Sequence, residues 1–177
     1  SADPFTISVR ETPHWDGMME YSTDSRDWAV WDGTAVSAAT NGKAYTLYFR
    51  GTGNTLVAGG STLYSWVFDG ADVECIGNIM CLLDHASVRS GRQPTMGRYC
   101  FYGMFDGWKT LTRAPALPAT ELAEYCYGRM FTNCWGLTKA PVLPAITLAA
   151  HCYASMFAHC KNLTQAPALP ATELAEY

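Results

Sequence analysis

The sequence predicts a mainly β protein with short helices, in which an N-terminal antiparallel β domain is followed by a solenoid of three 26-residue units. Two observations lead to this prediction. Apolar and polar residues alternate over short runs before residue 90, and a block of sequence recurs at a fixed interval after it. The composition is that of a globular chain, since 49% of the 177 residues are hydrophobic and 16% are charged. We therefore expect two domains, at residues 1–90 and 91–177.

Short alternating runs in the N-terminal domain predict strands separated by turns rich in glycine, aspartate and asparagine. An apolar run at residues 79–86 predicts a short helix that closes this domain and covers the first repeat. The pattern is typical of a small antiparallel sandwich or barrel-like domain. We expect its strands at residues 5–10, 18–22, 28–31, 43–50, 63–68 and 73–76.

A repeat of 26 residues fills the C-terminal part of the chain. Residues 114–125 read APALPATELAEY, and the same twelve letters return at residues 166–177. Counting from the cysteine that opens each copy gives units at residues 100–125, 126–151 and 152–177. One unit cannot bury its apolar side alone, so adjacent units should stack around a continuous core. A period of 26 lies within the range of leucine-rich repeats.

Each unit is expected to contain one short helical turn and one brief strand. In the second unit, Tyr127, Met130 and Phe131 have the spacing of the inner face of a helical turn. Residues 137–142 are predicted to form the strand, with Val142 among the inward positions. Prolines flank this strand and cannot donate to a ladder, so its pairing should be brief.

The motif MFxxCxxLTxAPxLPA, at residues 130–145 and 156–171, resembles the BspA-like leucine-rich repeats of bacterial surface proteins. The array also resembles those of fibre-like proteins of gut bacteriophages. The units are a few residues longer than common members of that family, and Trp108 replaces the cysteine that later units have at Cys134 and Cys160. The resemblance implies a non-enzymatic, adhesive or partner-binding role at the cell surface.

Positions that vary within the repeat are candidates for a binding surface, because invariant positions should form the core. Tryptophan and arginine are frequent anchors at interfaces, so a polar, partly basic stripe is a plausible contact surface. The alternative interpretation is an ordinary solvated face. The stripe has two columns. One lies just before the Ala-Pro pair of each unit and contains Arg113, Lys139 and Gln165. The other lies two positions before the Leu-Thr pair and contains Lys109, Trp135 and Lys161.

Seven cysteines occur, but no CxxC pair, so we expect no metal site. Equivalent residues of stacked units lie above one another, which predicts columns of buried thiols. A disulfide between neighbours in a column remains open as an alternative. The two columns would contain Cys100, Cys126 and Cys152, and Cys134 and Cys160.

Three further groups have both a structural and a functional interpretation. Asp24, Asp27 and Asp32 are expected to stabilise turns rather than to bind calcium. His151 precedes Cys152, yet the equivalent residue before Cys126 is a tyrosine, so we expect surface histidines and no catalytic dyad. Aromatic residues of the first domain could form its core or a sugar-binding platform, and these are Trp15, Trp28, Trp31, Tyr45, Tyr48, Tyr64 and Trp66.

Charge and hydropathy exclude two classes of partner. The net charge is −4, so no basic surplus is available for nucleic acid. No apolar run approaches the roughly 20 residues that span a bilayer, so we expect no membrane insertion.

The sequence favours a non-enzymatic module, displayed extracellularly or on the cell surface, that recognises a protein or glycan through the solenoid face without any cofactor. The alternative is a bacteriophage virion protein, a fibre or decoration protein, that docks by its β domain. Because the last unit is as apolar as the first, we expect an uncapped C-terminal end, through which this alternative would self-associate as a homo-oligomer.

Overall fold

The computed structural model describes residues 1–11, 15–58 and 66–172, and within these it contains ten strands and one helix. The helix is α1 (Cys81–Arg89). The strands are β1 (Phe5–Val9), β2 (Met18–Ser22), β3 (Ala29–Val30), β4 (Val36–Ser37), β5 (Ala39–Thr40), β6 (Tyr45–Thr46), β7 (Tyr48–Thr52), β8 (Trp66–Gly70), β9 (Val73–Glu74) and β10 (Leu111–Arg113).

The described strands form four small sheets. Three are antiparallel, with the orders β4-β1-β8, β3-β2-β7 and β5-β6, and the fourth is the parallel pair β10-β9. In the first sheet Ile7 lies opposite both Val36 and Phe68, and Phe5 and Ile7 are buried. The alternation of apolar residues in β1 therefore places one face of this strand in the core.

Most strands predicted for the N-terminal part are present. Residues 5–10, 18–22 and 73–76 contain β1, β2 and β9, and the run at 43–50 is divided between β6 and β7. Residues 63–65 of one predicted strand lie outside the described residues, and β8 begins at Trp66. The prediction missed β4 and β5, which are only two residues long. The mainly β character of the chain is confirmed.

The N-terminal core is built around Trp31, of which 2% is exposed. Its ring centroid lies 5.2 Å from that of Trp15, 4.8 Å from Phe49 and 4.9 Å from Trp66. The indole Nε1 donates to the carbonyl of Thr34 at 2.8 Å, so the buried ring leaves no polar group unsatisfied. This cluster joins β7 and β8 to the loop before β4.

The N-terminal part also covers the first 26-residue unit. The amides of Ala58 and Trp66 donate to the carbonyls of Cys100 and Met104 at 3.0 and 3.2 Å. The amide of Ile79 donates to the carbonyl of Ala116 at 3.1 Å, just before helix α1. These bonds cross residue 90, and the division into domains at that point stays a prediction.

The predicted solenoid of three leucine-rich repeats is wrong. Among the described residues after 90, only Leu111–Arg113 form a strand, and none forms a helix. This strand pairs with β9 of the N-terminal part and not with an equivalent strand of the next unit. The strand expected at residues 137–142 is absent, and Val142, expected to face inward, is 79% exposed. Pro141 within this segment and Pro144 just after it have no amide to donate to a ladder, so the segment stays irregular.

Successive units instead contact one another through three turn segments, at residues 99–107, 125–133 and 151–159. Within each segment, the amides of even-numbered residues donate to the carbonyl three residues earlier, as Met130 does to Tyr127. The amide of the residue just after each segment, at 108, 134 and 160, does the same. Amides of odd residues in the first two segments donate to carbonyls of the next segment or of the residue just before it, as Tyr127 does to Cys152 at 3.0 Å. Every fourth residue has a positive φ, between 53° and 83°, at Tyr99, Gly103, Gly107, Tyr125, Arg129, Asn133, His151, Ser155 and His159.

Aromatic rings at equivalent positions stack between the turn segments. Their centroids are 4.4 to 6.1 Å apart and their planes differ by at most 14°. Each such pair adds about 0.5–1.5 kcal/mol beyond the area that it buries. The three columns are Tyr99, Tyr125 and His151; Phe101, Tyr127 and Tyr153; and Phe105, Phe131 and Phe157.

Replacing Phe131 by alanine should lower the free energy of unfolding by about 2 to 5 kcal/mol. Phe131 is fully buried and stacks on Phe105 at 5.4 Å and on Phe157 at 5.6 Å, so the change removes two ring contacts and leaves a cavity. Urea denaturation measures the loss. The exposed Val142→Ala is the control and should change stability by about 0.5 kcal/mol or less. Equal losses for the two variants would contradict the ring column.

Candidate functional site

One of the two predicted columns forms a contact cluster of lysine and tryptophan. The Nζ of Lys109 lies 4.6 Å from the centroid of the Trp135 ring, and the Nζ of Lys161 lies 4.4 Å from it. The two lysines come from the units before and after that of Trp135, so the repeat interval brings all three together. Each contact has the geometry of a cation–π interaction. We call these residues the Lys-Trp-Lys cluster.

The backbone around Trp135 is fixed from both sides. The amide of Gly136 donates to the carbonyl of Lys109 at 2.7 Å, and the side-chain amide of Asn162 donates to the carbonyl of Trp135 at 2.8 Å. A Cβ at Gly136 would lie 2.9 Å from the carbonyl oxygen of Leu111, so only glycine fits there without displacement. The indole ring is therefore held by close contact between the units.

The indole Nε1 of Trp135 is buried and has no hydrogen-bond partner among the described residues. An unsatisfied buried donor costs about 1–3 kcal/mol.

The second predicted column is exposed and more dispersed. Arg113 Nη1 lies 3.8 Å from Glu74 Oε2, a long ion pair between side chains that are mostly exposed. Lys139 and Gln165 are exposed, and their side chains make no hydrogen bond within the described part of the chain. An exposed ion pair such as that of Arg113 with Glu74 contributes little to the free energy of unfolding. The side chains of Arg113, Lys139 and Gln165 are therefore free to contact a partner.

The aromatic residues of the N-terminal part divide between the core and a cleft. Trp31 and Trp66 are buried, as a core predicts, and Trp15 stacks on Trp31. Trp28, Tyr45 and Tyr48 instead line a cleft of about 970 Å³ between the N-terminal strands and the first unit. Tyr64 lies outside the described residues.

The cleft also contains side chains that the sequence did not mark as site residues. Asp72 and Glu74 are exposed at its wall, as is Lys43. Trp108 also lines the cleft, and its Nε1 donates to the carbonyl of Trp66 at 2.6 Å. The one sign of this role in the sequence is that the first unit has Trp108 at the position where the next unit has Cys134. The structure explains this departure, since the first unit packs against the N-terminal part at this position.

Four of the five thiols in the predicted columns are buried and Cys160 is half-buried, and no cysteine of the described residues forms a disulfide. The thiols of Cys134 and Cys160 donate to the carbonyls of Phe105 and Phe131 at 3.1 and 3.0 Å. Burial, reinforced by the neighbouring Cys152, raises the pKa of the Cys126 thiol to about 12. Burial likewise raises the pKa of the Cys134 thiol, so both remain protonated and are poor nucleophiles and metal ligands.

The histidine and aspartate side chains that were candidates for a functional site make contacts that have a structural role. The His151 ring stacks on Tyr125 at 4.4 Å, and burial raises the pKa of the neighbouring Cys152 thiol, which opposes activation of this thiol. Backbone amides of Arg26 and Asp27, with the Ser22 hydroxyl, donate to Asp24 and lower the pKa of its carboxyl group.

Asp32 accepts from the hydroxyl and the amide of Thr34, which lowers the pKa of this carboxyl group as well. Asp24 and Asp32 thus stabilise turns, as expected. No group of three or more potential metal ligands occurs within residues 1–11, 15–58 and 66–172.

No protein-family model, curated protein or solved structure matches this chain. The resemblance to BspA-like repeats therefore stays a prediction. In the part of the chain that the structure describes, α1 is the only helix, and it is neither long enough nor apolar enough to cross a bilayer.

The raised pKa of Cys126 predicts that stability falls in alkaline solution. The unfolded thiol loses its proton near its ordinary pKa of 9.0, whereas the folded thiol keeps it until about pH 12. Above pH 9 the unfolded state therefore binds fewer protons, and the free energy of unfolding falls by about 1.4 kcal/mol per pH unit for this group. Urea denaturation under reducing conditions should give a shallower pH dependence for Cys126→Ala. Identical slopes would contradict the assignment.

Proposed function

We propose that this protein is a non-enzymatic binding module that recognises an anionic protein or glycan through the Lys-Trp-Lys cluster and the exposed Lys139, four residues after Trp135 in the sequence. The observation that carries the proposal is the placement of two ammonium groups, 4.6 and 4.4 Å away, around one indole ring. Such a cluster offers charge and a flat apolar surface together, which is the combination that interface anchors use.

The distribution of charge supports an anionic partner. The whole chain has a net charge of −4, yet three of its four lysines are Lys109, Lys139 and Lys161. All three are exposed, and no carboxylate forms an ion pair with any of them within the described residues. A local excess of positive charge on an acidic protein attracts anions and falls off with salt.

The proposed location is extracellular, on the cell surface. It depends on the repeat motif and its resemblance to bacterial surface proteins, while the virion location stays the alternative proposal. Neither location changes the chemistry of the cluster, so binding can be tested without knowing the host.

Replacing Trp135 or Lys139 by alanine should weaken binding to a heparin-derived sulfated hexasaccharide by at least about 5-fold each, which corresponds to the loss of about 1 kcal/mol that only a minority of interface residues exceed. The affinity should also fall as salt rises. Isothermal titration calorimetry measures it, and thermal unfolding checks that each variant remains folded. Lys43→Ala, the remaining lysine of the chain, is the matched control and should leave the affinity unchanged.

Two results would overturn this proposal. One is an unchanged affinity in both variants. The other is the absence of binding by the unsubstituted protein to the sulfated hexasaccharide and to an acidic peptide alike.

The cleft supports carbohydrate binding as a second candidate function. The rings of Trp28, Tyr45 and Tyr48 line it, and Asp72 and Glu74 offer carboxylates that can accept hydrogen bonds from sugar hydroxyl groups. Arg50 lies 4.1 Å from the centre of the Trp28 ring and pairs with Glu20 at 2.8 Å, which holds the indole in place.

Neutral glycans should therefore change the tryptophan fluorescence, and Tyr48→Ala should remove the response by removing a stacking surface. Tyr48→Phe, which retains the ring, should preserve it. A flat fluorescence signal across a broad panel of neutral glycans would contradict this second function.

A further inference from the structure

The second 26-residue unit differs in sequence from the two units that flank it. Residues 114–125 and 166–177 are identical, whereas residues 140–151 differ from both at five of the twelve positions. Two differences introduce the aliphatic side chains of Val142 and Ile146, where the flanking units have alanine and threonine. Two others replace both glutamates of the flanking units by threonine and alanine. Over these twelve positions the second unit is therefore more apolar and carries no negative charge.

The two aliphatic side chains lie on the outer side of this unit. Val142 is 79% exposed and Ile146 is 62% exposed, whereas the intervening Leu143 and Ala145 are buried. In an extended segment alternate side chains point to opposite sides, so the residues at even positions face outward together. We call this surface the aliphatic face, and it consists of Val142, Pro144 and Ile146.

Packing between the units leaves the aliphatic face open. The equivalent residues of the flanking units, 116–120 and 168–172, are described on both sides of it. The carbonyl of Ile146 accepts from the amide of Thr172 at 3.2 Å, so the third unit contacts this segment through its backbone. The side chains of Val142 and Ile146 remain exposed in this arrangement and therefore offer apolar surface to a partner.

Positive charge borders the aliphatic face. Residues 126–151 contain no aspartate or glutamate, whereas residues 100–125 contain three. Lys139 lies three residues before Val142, a separation that the chain spans within about 11 Å. Its side chain is exposed and forms no ion pair within the described residues. An ammonium group without a carboxylate partner thus lies close to an exposed aliphatic surface.

This combination of groups selects one kind of partner. A purely apolar partner would cover Lys139 without supplying an anion, and the desolvated charge would oppose binding. A purely anionic partner, such as a sulfated glycan, would leave Val142 and Ile146 in water and gain nothing from them. A polypeptide segment with both aliphatic and acidic side chains matches both groups, as in interfaces that have an apolar centre and a polar rim.

We propose that the aliphatic face and Lys139 bind an acidic segment of a partner protein that carries aliphatic side chains. The aliphatic side chains of the partner pack on Val142 and Ile146, and its carboxylates pair with Lys139. This inference rests on the proposed function, because it uses Lys139, and it narrows the partner from an anionic protein or glycan to a protein.

Two decapeptides of equal charge test the proposal on the full chain. One has three leucines alternating with glycine, followed by four glutamates, and the other has serine in place of each leucine. Isothermal titration calorimetry should give the leucine peptide at least about 10-fold the affinity of the serine peptide, which corresponds to about 1.4 kcal/mol. Both peptides are also measured with their two halves in the opposite order, which covers both directions of a bound segment.

The first unit supplies the matched variant. Val142→Ala and Ile146→Thr together give the second unit the residues that the first unit has at equivalent exposed positions, Ala116 and Thr120. The double variant should therefore remain folded, which thermal unfolding checks, and should bind both peptides with equal affinity. Val30→Ala, which changes a valine that is 70% exposed in the N-terminal part, is the control and should retain the preference for leucine.

The outcomes separate this inference from the proposed function. Equal affinity of the unsubstituted protein for the two peptides, or an unchanged preference in the double variant, would exclude binding through the aliphatic face. If the sulfated hexasaccharide binds and neither peptide does, the proposed function is retained and this inference is overturned. If neither the hexasaccharide nor any peptide binds, both are overturned.

Discussion

The alternation of backbone amides in the turn segments is the constraint on which the C-terminal half of this structure depends. A turn repeated every four residues, with a positive φ at each fourth position, uses only every second amide internally. The remaining amides must find acceptors elsewhere, since a buried amide without a partner costs about 1–3 kcal/mol. The next unit supplies them. The first and second units are therefore stabilised by contact with the unit that follows each of them, and the ring columns and thiol columns follow from that contact.

The N-terminal part supplies hydrogen-bond donors to the first of the three turn segments. Its amides at Ala58 and Trp66 donate to two carbonyls of the first segment, those of Cys100 and Met104. Trp108 adds a side-chain bond to the carbonyl of Trp66 at 2.6 Å. The cleft lies along this junction, and the Lys-Trp-Lys cluster depends on the contact between units. Both candidate sites are thus consequences of the same backbone arrangement.

Parts of this arrangement could be predicted from the sequence and parts could not. Alternation in residues such as Phe5 and Ile7 was sufficient for β1, and the 26-residue interval placed Lys109, Trp135 and Lys161 together. The prediction of a leucine-rich-repeat fold was wrong because buried residues four apart, such as Met130 and Cys134, have the same spacing in a helix and in a series of four-residue turns. Nothing in the sequence marks Arg129 for a positive φ, since bulky residues seldom adopt one.

The hydrogen bonds between turn segments can be observed directly. Scalar couplings across hydrogen bonds, measured by NMR on a perdeuterated sample, report which amide donates to which carbonyl. The account predicts ten couplings between segments, among them those from Tyr127 to Cys152 and from Phe131 to Met156. All ten should run from an odd amide to a carbonyl 25 positions later. Couplings to other carbonyls, or paired couplings in both directions as in an ordinary sheet, would contradict it.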